Sequence, residues 1–160
     1  MARPAYDDRD GLIWVDGHMV PWRDARLHLL THALHYASAV FEGERAYEGE
    51  IFKLTEHTER LHYSAGEMGI EIPWNVSEID DACRELLTAN DIVDGYVRPI
   101  AWRGTEMMGV SAQQNAIHLA IAAWPWPSYF SPEARNSGIK LKTSTWRRPA
   151  PDTAPVHAKA

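Results

Sequence analysis

The run Ile117-His118-Leu119-Ala120-Ile121-Ala122-Ala123-Trp124 constrains the fold more than any other stretch. It is apolar at every position but His118 and is closed by Pro125. A short run of this kind reads as a buried strand in the middle of a sheet. Such a strand needs partners. Residues 95–102 read as a second strand, and Asp16-Gly17 between 12–15 and 18–20 is a strong hairpin signal. Residues 40–47, turned back at Glu48-Gly49-Glu50 into 51–54, read as another hairpin.

Two helices interrupt the strands. Thr55 is placed to cap the first, with Leu61, Ala65 and Met68 at helical spacing and Gly69 as the stop. Ser77 opens the second, with Ser77–Asp80 as a weak capping box and Ile79, Ala82, Cys83, Leu86 and Leu87 on one face. Residues 24–36 have mixed spacing that suits a helical turn or an irregular loop. Residues 139–146 alternate like one more strand. The fold class is α+β, a mostly antiparallel sheet with helices packed on it.

The Pro125, Pro127 and Pro132 cluster suggests a linker. The expected division is therefore a small N-terminal domain over 1–124, an interdomain linker over 125–136, and the start of a second domain over 137–160. Twenty-odd residues cannot bury a core of their own, so that last part must dock on the first or continue elsewhere.

Composition narrows the function. The net charge of −6 with dispersed acids gives no basic face for nucleic acid. A single cysteine, Cys83, excludes an intrachain disulfide and favours a reducing compartment. There is no signal-peptide pattern and no run long enough to cross a bilayer, so the expected location is cytoplasmic, without membrane attachment.

Several side chains have candidate chemistry. His28, His32 and His35 fall at i, i+4 and i+7, one face of a helix if the helix is continuous; hydrogen-bonded histidines are the more economical reading, and no metal site is expected. Arg60 suits an internal ion pair or a phosphate. Tyr96 and Arg98 share one face of their strand, where a hydroxyl and a guanidinium converge on a carboxylate, whether a ligand's or that of Glu106. Lys159, between Ala158 and Ala160, is by composition a solvated lysine. No Gly-rich phosphate loop, G-x-S-x-G elbow or nucleophilic cysteine context is present.

The string 31–47, THALHYASAVFEGERAY, resembles the hallmark of branched-chain amino-acid aminotransferases, pyridoxal-phosphate enzymes of fold type IV. Residues 59–65, 95–99 and 150–160 agree with that family in order and spacing. The resemblance implies the small domain of such an enzyme and transamination of L-leucine, L-isoleucine or L-valine with 2-oxoglutarate in amino-acid biosynthesis. Its cofactor would be pyridoxal 5'-phosphate and its partners amino-acid and 2-oxo-acid substrates, within a homodimer or higher homo-oligomer. By the same resemblance Lys159 carries the cofactor and moves the substrate proton, and Arg60 grips the phosphate. Tyr96 and Arg98 receive the side-chain carboxylate of glutamate, with Arg45 in the same substrate-facing set. Phe41, Tyr36, Trp126 and Tyr129 line the substrate pocket, Tyr36 across a homodimer interface.

Two residues depart from the family pattern. Ala37 replaces a usual glycine, and Glu44 stands where an aliphatic residue is usual, beside Arg45 with which it is expected to pair. The family continues past this lysine, and its second domain supplies the carboxylate for the pyridine nitrogen. The chain is therefore expected to be an N-terminal part that is inactive alone. The alternatives are another class-IV enzyme, a D-amino-acid or amine transaminase, or a non-catalytic dimerisation or anion-binding domain.

Overall fold

The computed structural model describes residues 5–126 and 132–160. Seven strands form one sheet: β1 (Leu12–Val15), β2 (His18–Pro21), β3 (Ala39–Phe41), β4 (Glu44–Tyr47), β5 (Glu50–Ile51), β6 (Gly95–Arg103) and β7 (Ile117–Pro125). Their order is β2-β1-β7-β6-β4-β5, with β3 also on β6, and every pairing is antiparallel. The apolar run is β7, inside the sheet between β1 and β6 as its composition demands.

β3 and β4 keep one register against β6, Phe41 opposite Ile100 and Glu44 opposite Val97. The break between them has a simple cause. Glu42 N donates to Pro99 O at 2.9 Å, but Pro99 has no N–H to return. Alternation continues across the break. Val40, Glu42, Glu44 and Ala46 point to the buried side, all 1% exposed or less, while Phe41, Gly43 and Arg45 point to the other. Two carboxylates, Glu42 in the break and Glu44 at the start of β4, thus face the core side by side.

Two helices cover that face, α2 (Leu54–Glu67) and α3 (Val76–Ala89). Leu61, Ala65, Ile79, Cys83 and Leu86 meet Val97, Leu119 and Ile121 in the core. Both helix starts differ from expectation. α2 follows Lys53 in a left-handed conformation (φ 58°) without a side-chain cap, and Thr55 lies inside its first turn. The Thr55 hydroxyl instead donates to Asp80 at 2.6 Å. α3 is capped by Asn75, in a full capping box with Glu78, rather than by Ser77 with Asp80. Asp80 is buried and accepts from Thr58 Oγ1, also at 2.6 Å, so it ties α3 to α2.

The segment before β3 forms a 3-10 turn at Trp22–Asp24 and a short helix, α1 (His32–Tyr36). His28 precedes that helix, so the three histidines do not share a helical face. His32 bonds Ser38 Oγ and Gly109 O, His35 bonds Leu29 O, and His28 Nδ1 accepts from Leu30 N. Ala37 ends α1 with φ 53°, the left-handed conformation that the usual glycine adopts without a Cβ penalty.

After β7 comes α4 (Pro132–Ser137), and residues 138–160 contain no helix or strand. The strand expected over 139–146 does not form. Ile139, Leu141 and Trp146 are 58%, 87% and 90% exposed, since alternation makes no strand without a neighbour to pair. Near its far end this tail meets the sheet, where Phe41 N donates to Lys159 O. No helix among the described residues is long and apolar enough to cross a membrane.

Candidate active site

The tail docks through Lys159. Phe41 N, on the free edge of β3, donates to Lys159 O at 3.0 Å, and Lys159 N donates to Ser64 Oγ on α2 at 3.0 Å. The backbone of Lys159 is thereby fixed between strand and helix, and its side chain is only one-third exposed. The solvated terminal lysine that composition suggests is not what forms.

Its Nζ approaches Glu42, donating to Oε2 at 3.3 Å. Glu42 is the centre of the site. Its side chain is wholly buried, and Arg60 grips it by two contacts, Nε to Oε1 at 2.5 Å and Nη2 to Oε2 at 2.7 Å. His57 Nδ1 stands 2.9 Å from Oε2, and Gly43 N donates to the same oxygen at 3.2 Å. Burial alone would raise the carboxyl pKa. The hydrogen bonds from Arg60 and His57 and the charge of Lys159 overcome it and hold the group at about 2. The same pairing raises the pKa of Arg60. Sequence reasoning missed Glu42. Its one signal was a carboxylate between apolar neighbours on the core face of a strand, a position that demands a partner.

Glu44 shows the opposite balance. It is 1% exposed, and neither carboxylate oxygen has a hydrogen-bond partner. Burial, then the neighbouring charges of Glu42 and Asp80, push its pKa up to about 8 against the opposing pull of Lys159. The expected pair with Arg45 does not form, because adjacent strand residues point to opposite faces. Arg45 instead donates from Nη1 to Trp126 O at 2.9 Å and lies over the Tyr47 ring.

On the face away from the helices, Phe41 joins two cations. Its ring centroid is 4.9 Å from Lys159 Nζ and 4.7 Å from the Arg98 guanidinium carbon. Arg98 Nη2 donates to Tyr96 Oη at 3.0 Å, while its Nε is buried without a partner. Glu106 is not that partner, as its Oε2 accepts from Ala116 N. Tyr96 lies against Trp124 and Trp126, with centroids 5.0 and 5.3 Å away. Its hydroxyl sits over Gly43, where a Cβ would come within 1.9 Å, so this position admits only glycine without movement of Tyr96.

The structure therefore brings together Lys159, Arg60, Phe41, Tyr96, Arg98, Arg45 and Trp126 around β3, β4 and β6. Tyr36 stands elsewhere, at the end of α1. It is 45% exposed, donates to Met108 O at 3.1 Å and stacks on His32. Tyr129 lies outside the described residues.

The site thus combines a sheet with helices on one face, a lysine docked at a strand edge and an arginine held beside it. The family model for amino-transferase class IV matches residues 39–159, and the chain belongs to that family. Among curated relatives, a branched-chain-amino-acid aminotransferase of Pseudomonas aeruginosa is 44% identical over 157 residues, covering 96% of this chain and 51% of the relative. The Escherichia coli K12 enzyme of that name is 39% identical over 153 residues, covering 92% and 50%. A crystal structure of a T.th. branched-chain amino acid aminotransferase with pyridoxamine 5'-phosphate superposes with a TM-score of 0.88 at 40% identity, over 94% of this chain and 51% of that one. The chain spans about half the length of the relatives it matches. The fold-type-IV fold expected from the sequence is the one found.

Proposed function

We propose that this chain supplies the lysine side of the active site of a pyridoxal 5'-phosphate-dependent aminotransferase that exchanges the amino group between L-leucine, L-isoleucine or L-valine and 2-oxoglutarate. The observation that carries this is the convergence of Lys159 and Arg60 on Glu42. It sets an amine and an anion-gripping guanidinium at one carboxylate, within reach of a single phosphorylated aldehyde. Among the described residues Arg60 Nη1 has no hydrogen-bond partner, so the residues present fit the phosphate end of that cofactor. When bound, the cofactor supplies an electron sink for the carbanion formed at the substrate Cα.

The chain's own residues do the rest. With the cofactor bound, Lys159 Nζ would take the proton from the substrate Cα as base and, as acid, deliver it to the cofactor carbon that carried the aldehyde, as net transfer of the amino group requires. Arg60 holds the phosphate. Arg98, its guanidinium held beside the Tyr96 hydroxyl, receives the side-chain carboxylate of glutamate. Phe41, Tyr96, Trp124 and Trp126 give an apolar wall for a branched side chain, so one pocket serves two substrates of opposite polarity. Arg45 and Tyr129 complete the substrate side. Tyr36, exposed on α1, serves the site of a second copy in a homodimer. The apolar groove of about 330 Å³ on the open face of the sheet, lined in part by Leu27, Leu34 and Ile100, supports such an interface. Residues 125–136 act as the interdomain linker and 137–160 as the start of a second domain. The enzyme works in the cytoplasm.

A coupled assay of glutamate formation from L-leucine and 2-oxoglutarate, on the complete protein, tests this directly. Turnover that vanishes in Lys159→Ala is expected. Absence of turnover with all three branched-chain amino acids, in a protein that still binds anions at Arg60, would instead indicate a non-catalytic anion-binding domain.

A further inference from the structure

We infer that Glu42 is a positioning residue that aims Arg60 at the cofactor phosphate, an inference that rests on the proposed function. Glu42 makes the only side-on, two-point grip on an arginine among the described residues, from Oε1 and Oε2 to Nε and Nη2. A guanidinium is planar, so a grip on its Nε–Nη2 edge points Nη1 directly away from the carboxylate. That nitrogen is left to an external anion, and the side chain that carries it is half exposed.

Glu42 is itself held firmly enough to act as an anchor. It sits on the core face beside the β3–β4 break, fully buried, with Glu42 N bonded to Pro99 O and Gly43 N bonded to its Oε2. His57, one turn before Arg60 on α2, braces the same oxygen and lies 3.2 Å from Nη2. A guanidinium so fixed loses little freedom when it binds phosphate, whereas a free arginine must be ordered at that step. Glu42 also presents one negative charge to both Arg60 and Lys159, which leaves the cluster with a positive excess for an incoming phosphate dianion.

The test compares pyridoxal 5'-phosphate with pyridoxal, which lacks the phosphate, by absorbance titration of the complete protein and its Glu42→Gln variant. The variant is expected to bind the phosphorylated form at least tenfold more weakly and to bind pyridoxal within about threefold of wild type. Equal weakening of both forms, together with a lowered melting temperature, would assign Glu42 a structural role only and overturn the inference. Unchanged affinity for the phosphorylated form would overturn it too. Should Glu42→Gln fail to fold, Glu42→Asp and Arg60→Lys, singly and combined, give the same answer. Weakening that does not add across the pair supports action through Arg60, and additive weakening contradicts it. A wild-type protein that binds neither aldehyde removes the proposed function itself, while normal wild-type binding with an unchanged variant removes only the role of Glu42.

Discussion

Phe41 and Lys159 are joined twice: the Phe41 amide donates to the Lys159 carbonyl at 3.0 Å, and the Lys159 Nζ stands 4.9 Å from the Phe41 ring centroid. The first contact fixes the lysine backbone along the edge of the sheet. The second sets its amine beside the wall that separates the helix face, with Glu42 and Arg60, from the open face, with Tyr96 and Arg98. A tail without regular structure thus delivers one residue to a place defined by a strand.

Glu44 makes stability depend on pH in an unusual direction. Its folded pKa of about 8 lies above the ordinary glutamate value of 4.5, so between those values the folded chain keeps a proton that the unfolded chain has lost. Stability therefore falls as pH rises through that window and levels off above it, by at most roughly 5 kcal/mol for this group. Urea unfolding at pH 5 and pH 9 should show most of this loss in wild type and little of it in Glu44→Leu. Identical pH slopes for the two proteins would refute it.

Glu42 acts in the acid range with the opposite sign. Its folded pKa of about 2 lies below the ordinary value, so its contribution is present above about pH 4.5 and disappears as pH falls toward 2. The linkage amounts to roughly 3 kcal/mol. Replacing Arg60 with methionine should shift the acid-unfolding midpoint upward, as followed by circular dichroism. An unmoved midpoint would mean that the ion pair does not carry this stability.

Thr58 is buried and donates to Asp80 Oδ1 at 2.6 Å across the α2–α3 interface. Thr58→Val leaves a buried carboxylate one donor short, at a cost of about 1.5–3 kcal/mol. Thr58→Ser keeps the hydroxyl and should lose much less. Equal destabilisation of the two variants in urea titrations would mean that packing, not the hydrogen bond, decides.

Gly43→Ala places a methyl where the Tyr96 hydroxyl stands, and the ring has to move. A stability cost of about 1–3 kcal/mol is expected from the overpacking. Tyr96 accepts from Arg98, so on the proposed function KM for glutamate should rise more than KM for leucine. A uniform change in both constants would show that Tyr96 tolerates displacement.

Long-period signals carried much of the fold into the sequence. The continuous apolar run gave β7, the Asp16-Gly17 pair gave the β1–β2 turn, and the 3.6-residue spacing of Ile79, Cys83 and Leu86 gave the buried face of α3. Caps were less legible. Asn75 and Ser77 are both good cap residues, and which one opens the helix depends on which amide a side chain reaches. The strand expected over 139–146 failed because alternation is a local property and pairing is not. At the site, the motif strings pointed to Arg60 and Lys159, yet Glu42, the residue that both side chains contact, stayed hidden. Glu42 is separated from Arg60 and Lys159 in the chain, and its partners meet only once β3 lies against α2 and the tail returns. The Glu44–Arg45 pair was misread for a simpler reason, since neighbours in a strand face apart.

The most direct test is to incubate the protein with pyridoxal 5'-phosphate, reduce it with borohydride, and map the modified peptide by mass spectrometry. A single pyridoxyl phosphate on Lys159, lost when Arg60 is replaced by alanine, is the predicted result. Label spread over Lys53, Lys140 and Lys142 with none at Lys159 would contradict it, because the amine held beside Glu42 would then have no special claim on the cofactor.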